Sequence, residues 1–111
     1  MTTPLTYQIL LALADGDRHG YGIIKEIESR AASAAPSTGA MYLALQRMEA
    51  DGLIEETPDR PADADDARRR YYRLTRRGRE VAEEESIRLA GLMATARAKN
   101  LLGGATGGSE A

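Results

Sequence analysis

Cysteine is absent, and His19 is the single histidine among 111 residues. The first absence excludes disulfides and cysteine-ligated metal. The scarcity of the second removes the usual zinc constellations and any serine–histidine triad. Phenylalanine and tryptophan are also missing, so the five tyrosines are the whole aromatic complement. No apolar run approaches the roughly 20 residues of a membrane span. No signal peptide precedes the first helix-like pattern, so a soluble, cytoplasmic protein without a membrane partner is expected. Paired carboxylates in a pocket context, a phosphate loop and a metal cluster are all lacking, and the Gly-rich tail follows a helix rather than a strand. The sequence does not read as an enzyme, and it implies no cofactor.

The length suits one domain with a modest core. Pro4 fits the first turn of a helix through LTYQILLALAD to Gly16, with Leu5, Ile9 and Leu13 in one stripe. Leu10 and Leu11 lie toward other faces, so this helix needs more than one cover, the second plausibly another subunit. DGDRHGYG turns the chain into a second helix, where Ile23, Ile27 and Ala31 share a face. Here His19 caps or packs, and Tyr21 is expected in the core. Pro36-Ser37-Thr38-Gly39 caps a third helix over roughly 38–50, with Met41, Leu45 and Met48 facing inward and Gly52 as its stop.

The period then changes. LIEET (53–57) and RYYRLT (70–75) are short extended runs, and the Pro- and Asp-rich stretch between them fits only a hairpin tip. A last helix of about 25 residues starts near Thr75 and runs toward Leu101. It is too long to bury itself against so small a domain, which again suggests a dimer. The expected fold is mainly α: a winged helix-turn-helix of three helices and a two-stranded wing, plus a long C-terminal dimerisation helix. The divisions are 1–75 for the winged domain, 76–102 for the dimerisation helix and 103–111 for a disordered tail.

Net charge is −2, yet seven of the 15 basic residues fall between Arg68 and Arg79. Arg73 stands across from Glu55 and Glu56, and Arg76 and Arg79 precede Glu80 and Glu83 by four residues. That leaves Arg68, Arg69, Arg70 and Arg77 as charges for an external anion. Arg77 also sits in a first helical turn, where the helix dipole disfavours a cation.

Three segments, LTYQILLALADGDRHGYGIIKEIE, STGAMYLALQRMEADGLIEE and RRRYYRLTRRGRE, together resemble the PadR family of bacterial transcriptional regulators. The resemblance implies a homodimer, with third helices and wings on double-stranded operator DNA. It also implies a dimer interface of the first and last helices, here Leu5, Ile9 and Leu10 with Leu89, Leu92, Met93 and Ala96. A small hydrophobic effector between subunits is allowed by the resemblance, but the residues give no identity for it.

With Met41, Leu45 and Met48 inward, the opposite face of the third helix carries Gly39, Leu43, Gln46 and Ala50, flanked by Tyr42 and Arg47. In a helix-turn-helix that face enters the major groove, N-terminal end first. Ser37 and Thr38 add hydroxyls where a helix N-terminus can hold a phosphate. Gln46 suits adenine, and Arg47 suits guanine or a phosphate. Tyr42 suits a backbone phosphate, and a tyrosine at this motif position is typical of the family. Leu43 stands where the family often has a polar or basic residue; it either meets a thymine methyl or reduces base reading. The expected function is a dimeric, sequence-specific regulator, a repressor on a pseudo-palindromic operator. The alternative is a winged-helix protein–protein module without DNA binding, which the net negative charge favours.

Overall fold

The computed structural model describes residues 2–30, 36–57 and 70–103. Among them the order is α1 (Pro4–Leu13), β1 (Arg18–His19), α2 (Gly20–Glu28), α3 (Thr38–Ala50), β2 (Ile54–Thr57), β3 (Tyr71–Leu74) and α4 (Arg76–Ala98). This is the winged helix-turn-helix, with one addition. The sheet has three strands in the order β1-β3-β2, not two. Arg18 and His19 pair antiparallel with Tyr72 and Tyr71. A two-residue strand carries no alternation for a sequence pattern to show, which is why DGDRHGYG reads as a plain turn.

Each helix begins the same way. Thr3, His19, Ser37 and Thr75 each accept, through a side-chain atom, the backbone N–H three residues on. Such caps satisfy one of the donors that a helix start leaves open. His19 does this with Nδ1, 2.9 Å from the Gly22 amide. Two helix ends are closed as well. After α3, Gly52 takes φ +77°, the Leu53 amide donates to the Met48 carbonyl and the Gly52 amide to that of Glu49. After α4, Asn100 takes φ 62° with the equivalent pair of bonds, Leu101 to Ala96 and Asn100 to Arg97. Both are left-handed stops of the kind that glycine and asparagine favour.

The core gathers Ile9, Leu10, Leu13, Ile23, Ile27, Met41, Leu45, Met48, Ile54 and Tyr72. Ile9 and Leu10, expected at a subunit interface, have no exposed surface in a single chain. They are covered from within by the other helices and the sheet, so Leu5 is the half-buried residue of that trio that a partner could reach. Of the other faces of α1, the one carrying Leu10 is therefore closed within the chain, while Leu11 stays half-buried. Tyr21 also departs from expectation: it is 53% exposed, with Lys25 Nζ over its ring at 5.6 Å. Consecutive Tyr71 and Tyr72 point to opposite faces of β3, yet both are buried. Tyr72 faces the core, and His19 meets the Tyr71 ring edge-on at 5.2 Å between centroids.

The start of α4 is locked onto the end of α3. The Thr75 hydroxyl donates to the Gly52 carbonyl at 2.6 Å while accepting from the Gly78 amide. The Thr75 amide donates to Leu53. Gly78 is buried directly against the Leu53 carbonyl. The body ends near the middle of α4, where Tyr7 of α1 and Ser86 hydrogen-bond at 2.6 Å. Beyond this the helix projects, and the molecule measures 55 × 26 × 25 Å.

Gly78, Ala82, Glu85, Leu89, Leu92 and Ala96 recur along α4 at alternating spacings of four and three, so they form one seam. Its first half packs on the body. Its second half runs on uncovered, with Leu92 54% and Met93 beside it 44% exposed. Glu85, at the junction, is buried and held in a fork by Arg88. The bonds from Arg88 hold the Glu85 carboxyl below its ordinary range.

Candidate nucleic-acid interface

Burial of Met41, Leu45 and Met48 turns the opposite face of α3 outward, as the spacing requires. Gly39, Tyr42, Leu43, Gln46, Arg47 and Ala50 are all exposed on it. Ser37 and Thr38 stand exposed at the helix start, where Ser37 Oγ accepts from the Ala40 amide at 3.1 Å.

A cleft runs along each side of this ridge. On the wing side, Gly39, Tyr42, Leu43, Gln46 and Glu49 face His19–Tyr21, Arg70 just before β3 and Tyr72 within it. On the other side, Ala40, Leu43, Ala44, Arg47 and Asp51 face the start of α1 (Thr2, Thr3, Thr6) and Arg77 of α4. Leu43 borders both clefts and is 49% exposed, so it is the crest of the ridge. The acids Glu49 and Asp51 lie toward the C-terminal end of α3, leaving its N-terminal half free of negative charge.

The arginines divide by partner. Arg73 Nε lies 2.9 Å from Glu55, its opposite number in the strand register. Arg76 pairs with Glu80 at 3.6 Å. Arg79 does not take Glu83; its guanidinium donates instead to the Ala14 carbonyl at the end of α1, 3.0 Å away. A helix C-terminus offers such unpaired carbonyls, and the fold brings this one within reach across 65 positions of sequence. Arg70, expected to be free, stands 4.0 Å from Glu56 while remaining 67% exposed. Its charge also acts on Tyr72, whose phenol is pushed up chiefly by burial and then by the Glu49 charge, with Arg70 opposing the rise. Among the described residues, Arg47 and Arg77 have no acidic partner. Arg68 and Arg69 lie outside the described residues.

Of the four arginines that the sequence left for an external anion, Arg77 is without an acidic partner among the described residues, Arg70 has one in Glu56, and the outward face of α3 lies where the spacing put it. Sequence reasoning missed His19–Tyr21 as a cleft wall and the threonines before α1 as another. Their signal was available only as a Thr-Thr pair ahead of Pro4 and a glycine pair around Tyr21. Among the described residues, no group of histidine and acidic residues could hold a metal ion, and no helix is long and apolar enough to cross a membrane.

Residues 9–84 match the family model of the transcriptional regulator PadR-like family. The chain belongs to that family. PadR-like proteins are transcription regulators rather than enzymes. A PadR family transcription regulator from Clostridium difficile R20291 is 29% identical, with a TM-score of 0.74 over 86% of this chain and 96% of that one. Bacillus subtilis PadR, solved in complex with operator DNA, is 21% identical, with a TM-score of 0.64 over 77% of this chain and 48% of that one. A curated relative, an uncharacterized 37.1 kDa protein in a Streptomyces fradiae transposon, is 39% identical over 84 residues. The match takes in 76% of this PadR-like chain and 22% of that relative's length.

Proposed function

We propose that this PadR-like chain is a homodimeric, sequence-specific DNA-binding repressor. One observation carries the reading: α3 is an exposed ridge between two clefts, and cations without acidic partners border it. A ridge of this kind fits the major groove, which is about 12 Å wide. The two phosphate rails that bound the groove then fall into the two clefts. Arg47, Arg77 and the hydroxyls before α1 serve one rail; Arg70 and Tyr42 serve the other. Gln46 and the Leu43 crest meet base edges, with Leu43 suited to a thymine methyl. The operator-bound Bacillus subtilis neighbour, which shares the fold, supports the same use. The uncovered half of the α4 seam supports a dimer, and two-fold symmetry then calls for a pseudo-palindromic operator.

Arg47→Ala combined with Arg77→Ala tests the assignment of charge. Phosphate contacts set the salt dependence, at about 0.9 in the slope of log affinity against log salt for each phosphate neutralised. Loss of both cations from both subunits is expected to lower that slope by up to about 3.6. The slope is measured by titrating the duplex upstream of the gene from low to moderate salt. An unchanged slope would remove these arginines from the interface. A wild-type chain that ignores duplex DNA but elutes with another protein would favour the protein–protein reading.

A further inference from the structure

Of the two glycines around Tyr21, only one is crowded. A Cβ on Gly22 would lie no closer than 3.5 Å to a neighbour, the His19 ring. A Cβ on Gly20 would lie 2.5 Å from Tyr42 Oη and 2.8 Å from its Cε1 and Cζ atoms. The backbone does not account for the glycine, because among the described residues only Gly52 of the glycines takes positive φ. Gly20 opens α2, where alanine would be the better helix former. The missing side chain is therefore a seat for the Tyr42 ring.

The state of the phenol gives the seat a purpose. Gly20 is buried while Tyr42 remains 46% exposed, so the ring is held from below and open to solvent at the wing-side cleft. Among the described residues the Tyr42 hydroxyl makes no hydrogen bond. Tyr7, by contrast, is hydrogen-bonded to Ser86. A fixed ring with an unused hydroxyl presents a donor whose ordering cost falls before any ligand arrives, which is how preorganisation raises affinity.

We infer that Gly20 is a positioning residue for DNA binding: it seats the Tyr42 ring on the first turn of α2 so that the hydroxyl donates to one backbone phosphate in the wing-side cleft. This rests on the DNA-binding reading above. Substitution by alanine forces the ring to swing away, because a half-exposed side chain yields more readily than the α2 backbone. The hydroxyl then leaves its place while the rest of the interface stays.

The test is a double-mutant cycle with Gly20→Ala and Tyr42→Ala, plus Tyr42→Phe, each titrated against the duplex that the wild type binds. Gly20→Ala alone, Tyr42→Ala alone and Tyr42→Phe should each weaken binding of the dimer roughly a hundredfold, about tenfold for each subunit's lost hydrogen bond to a charged group. In the Tyr42→Ala background, Gly20→Ala should cost nothing further, since the methyl then meets no ring. Thermal melts should show Gly20→Ala at least as stable as the wild type. Equal losses from Gly20→Ala in both backgrounds, or no loss in the wild-type background, would overturn the inference. The seat itself is read without DNA, from the Gly20 Hα resonance, which should move when the Tyr42 ring is removed. An unmoved resonance overturns the seat, whereas a wild type that binds no duplex while the resonance moves overturns the DNA-binding reading instead.

Discussion

Replacing Gly78 by alanine is expected to destabilise the chain by about 3 kcal/mol, at the top of the usual range for forcing atoms into a packed site. The cause is specific. Any Cβ at this position would collide with the Leu53 carbonyl, a backbone group held in place by the left-handed stop at Gly52 and by the Thr75 amide. Neither side yields cheaply, because moving α4 outward breaks the Thr75 cap and its bond to Gly52. Against a total stability of about 5–15 kcal/mol, such a loss is large. The melting temperature should fall by on the order of 15 °C. Gly91 is the control: it lies exposed in the interior of the same helix with nothing near its would-be Cβ. Gly91→Ala should therefore stabilise by roughly 0.5–1 kcal/mol. A Gly78→Ala melt within a few degrees of wild type would show that α4 does not sit on Leu53. Arg77 follows Arg76 in that same first turn, so the contact that fixes the fold also aims one of the free cations.

The second large effect is expected from Leu92→Glu. Leu92 is 54% exposed in a single chain, yet it continues the seam whose first half is packed on the body. A carboxylate there leaves the folded chain intact but must be desolvated if a second copy covers the seam. Sedimentation should show the wild type as a dimer and Leu92→Glu as a monomer at the same concentration. Operator affinity should fall on the order of a hundredfold or more, because two linked half-site contacts become one. Ile87 is even more exposed, at 74%, but about 140° around the helix from Leu92. Ile87→Glu should leave both dimer and affinity unchanged. If Leu92→Glu sediments as the wild type does, the seam is not the interface.

The sequence showed the fold to the extent that local signals carry it. Ser37, Gly52 and Thr75 mark helix ends through their own side chains or backbone freedom, so α3 and the start of α4 could be placed closely from residues alone. The inward stripe Met41, Leu45 and Met48 fixed the outward face of α3 for the same reason. What escaped depends on distant parts of the chain. Ile9 and Leu10 look available for a partner until α2, α3 and the sheet close over them. Arg79 has an obvious glutamate four residues on, but the nearer acceptor is a carbonyl far away in sequence. The strand at Arg18–His19 exists only because β3 lies beside it, and the crowding at Gly20 exists only because Tyr42 lies over it. Periodicity reports faces; it does not report which other element arrives to cover them.

Selection of duplexes from a random library, followed by titration of the selected sequence and of a shuffled control, tests the DNA-binding reading most directly. The predicted result is a two-fold-symmetric consensus with half-sites about one helical turn or a multiple apart. It should be bound on the order of a thousandfold or more tighter than the shuffled duplex. Equal affinity for both duplexes, with no symmetric consensus emerging, would contradict a sequence-specific dimeric regulator.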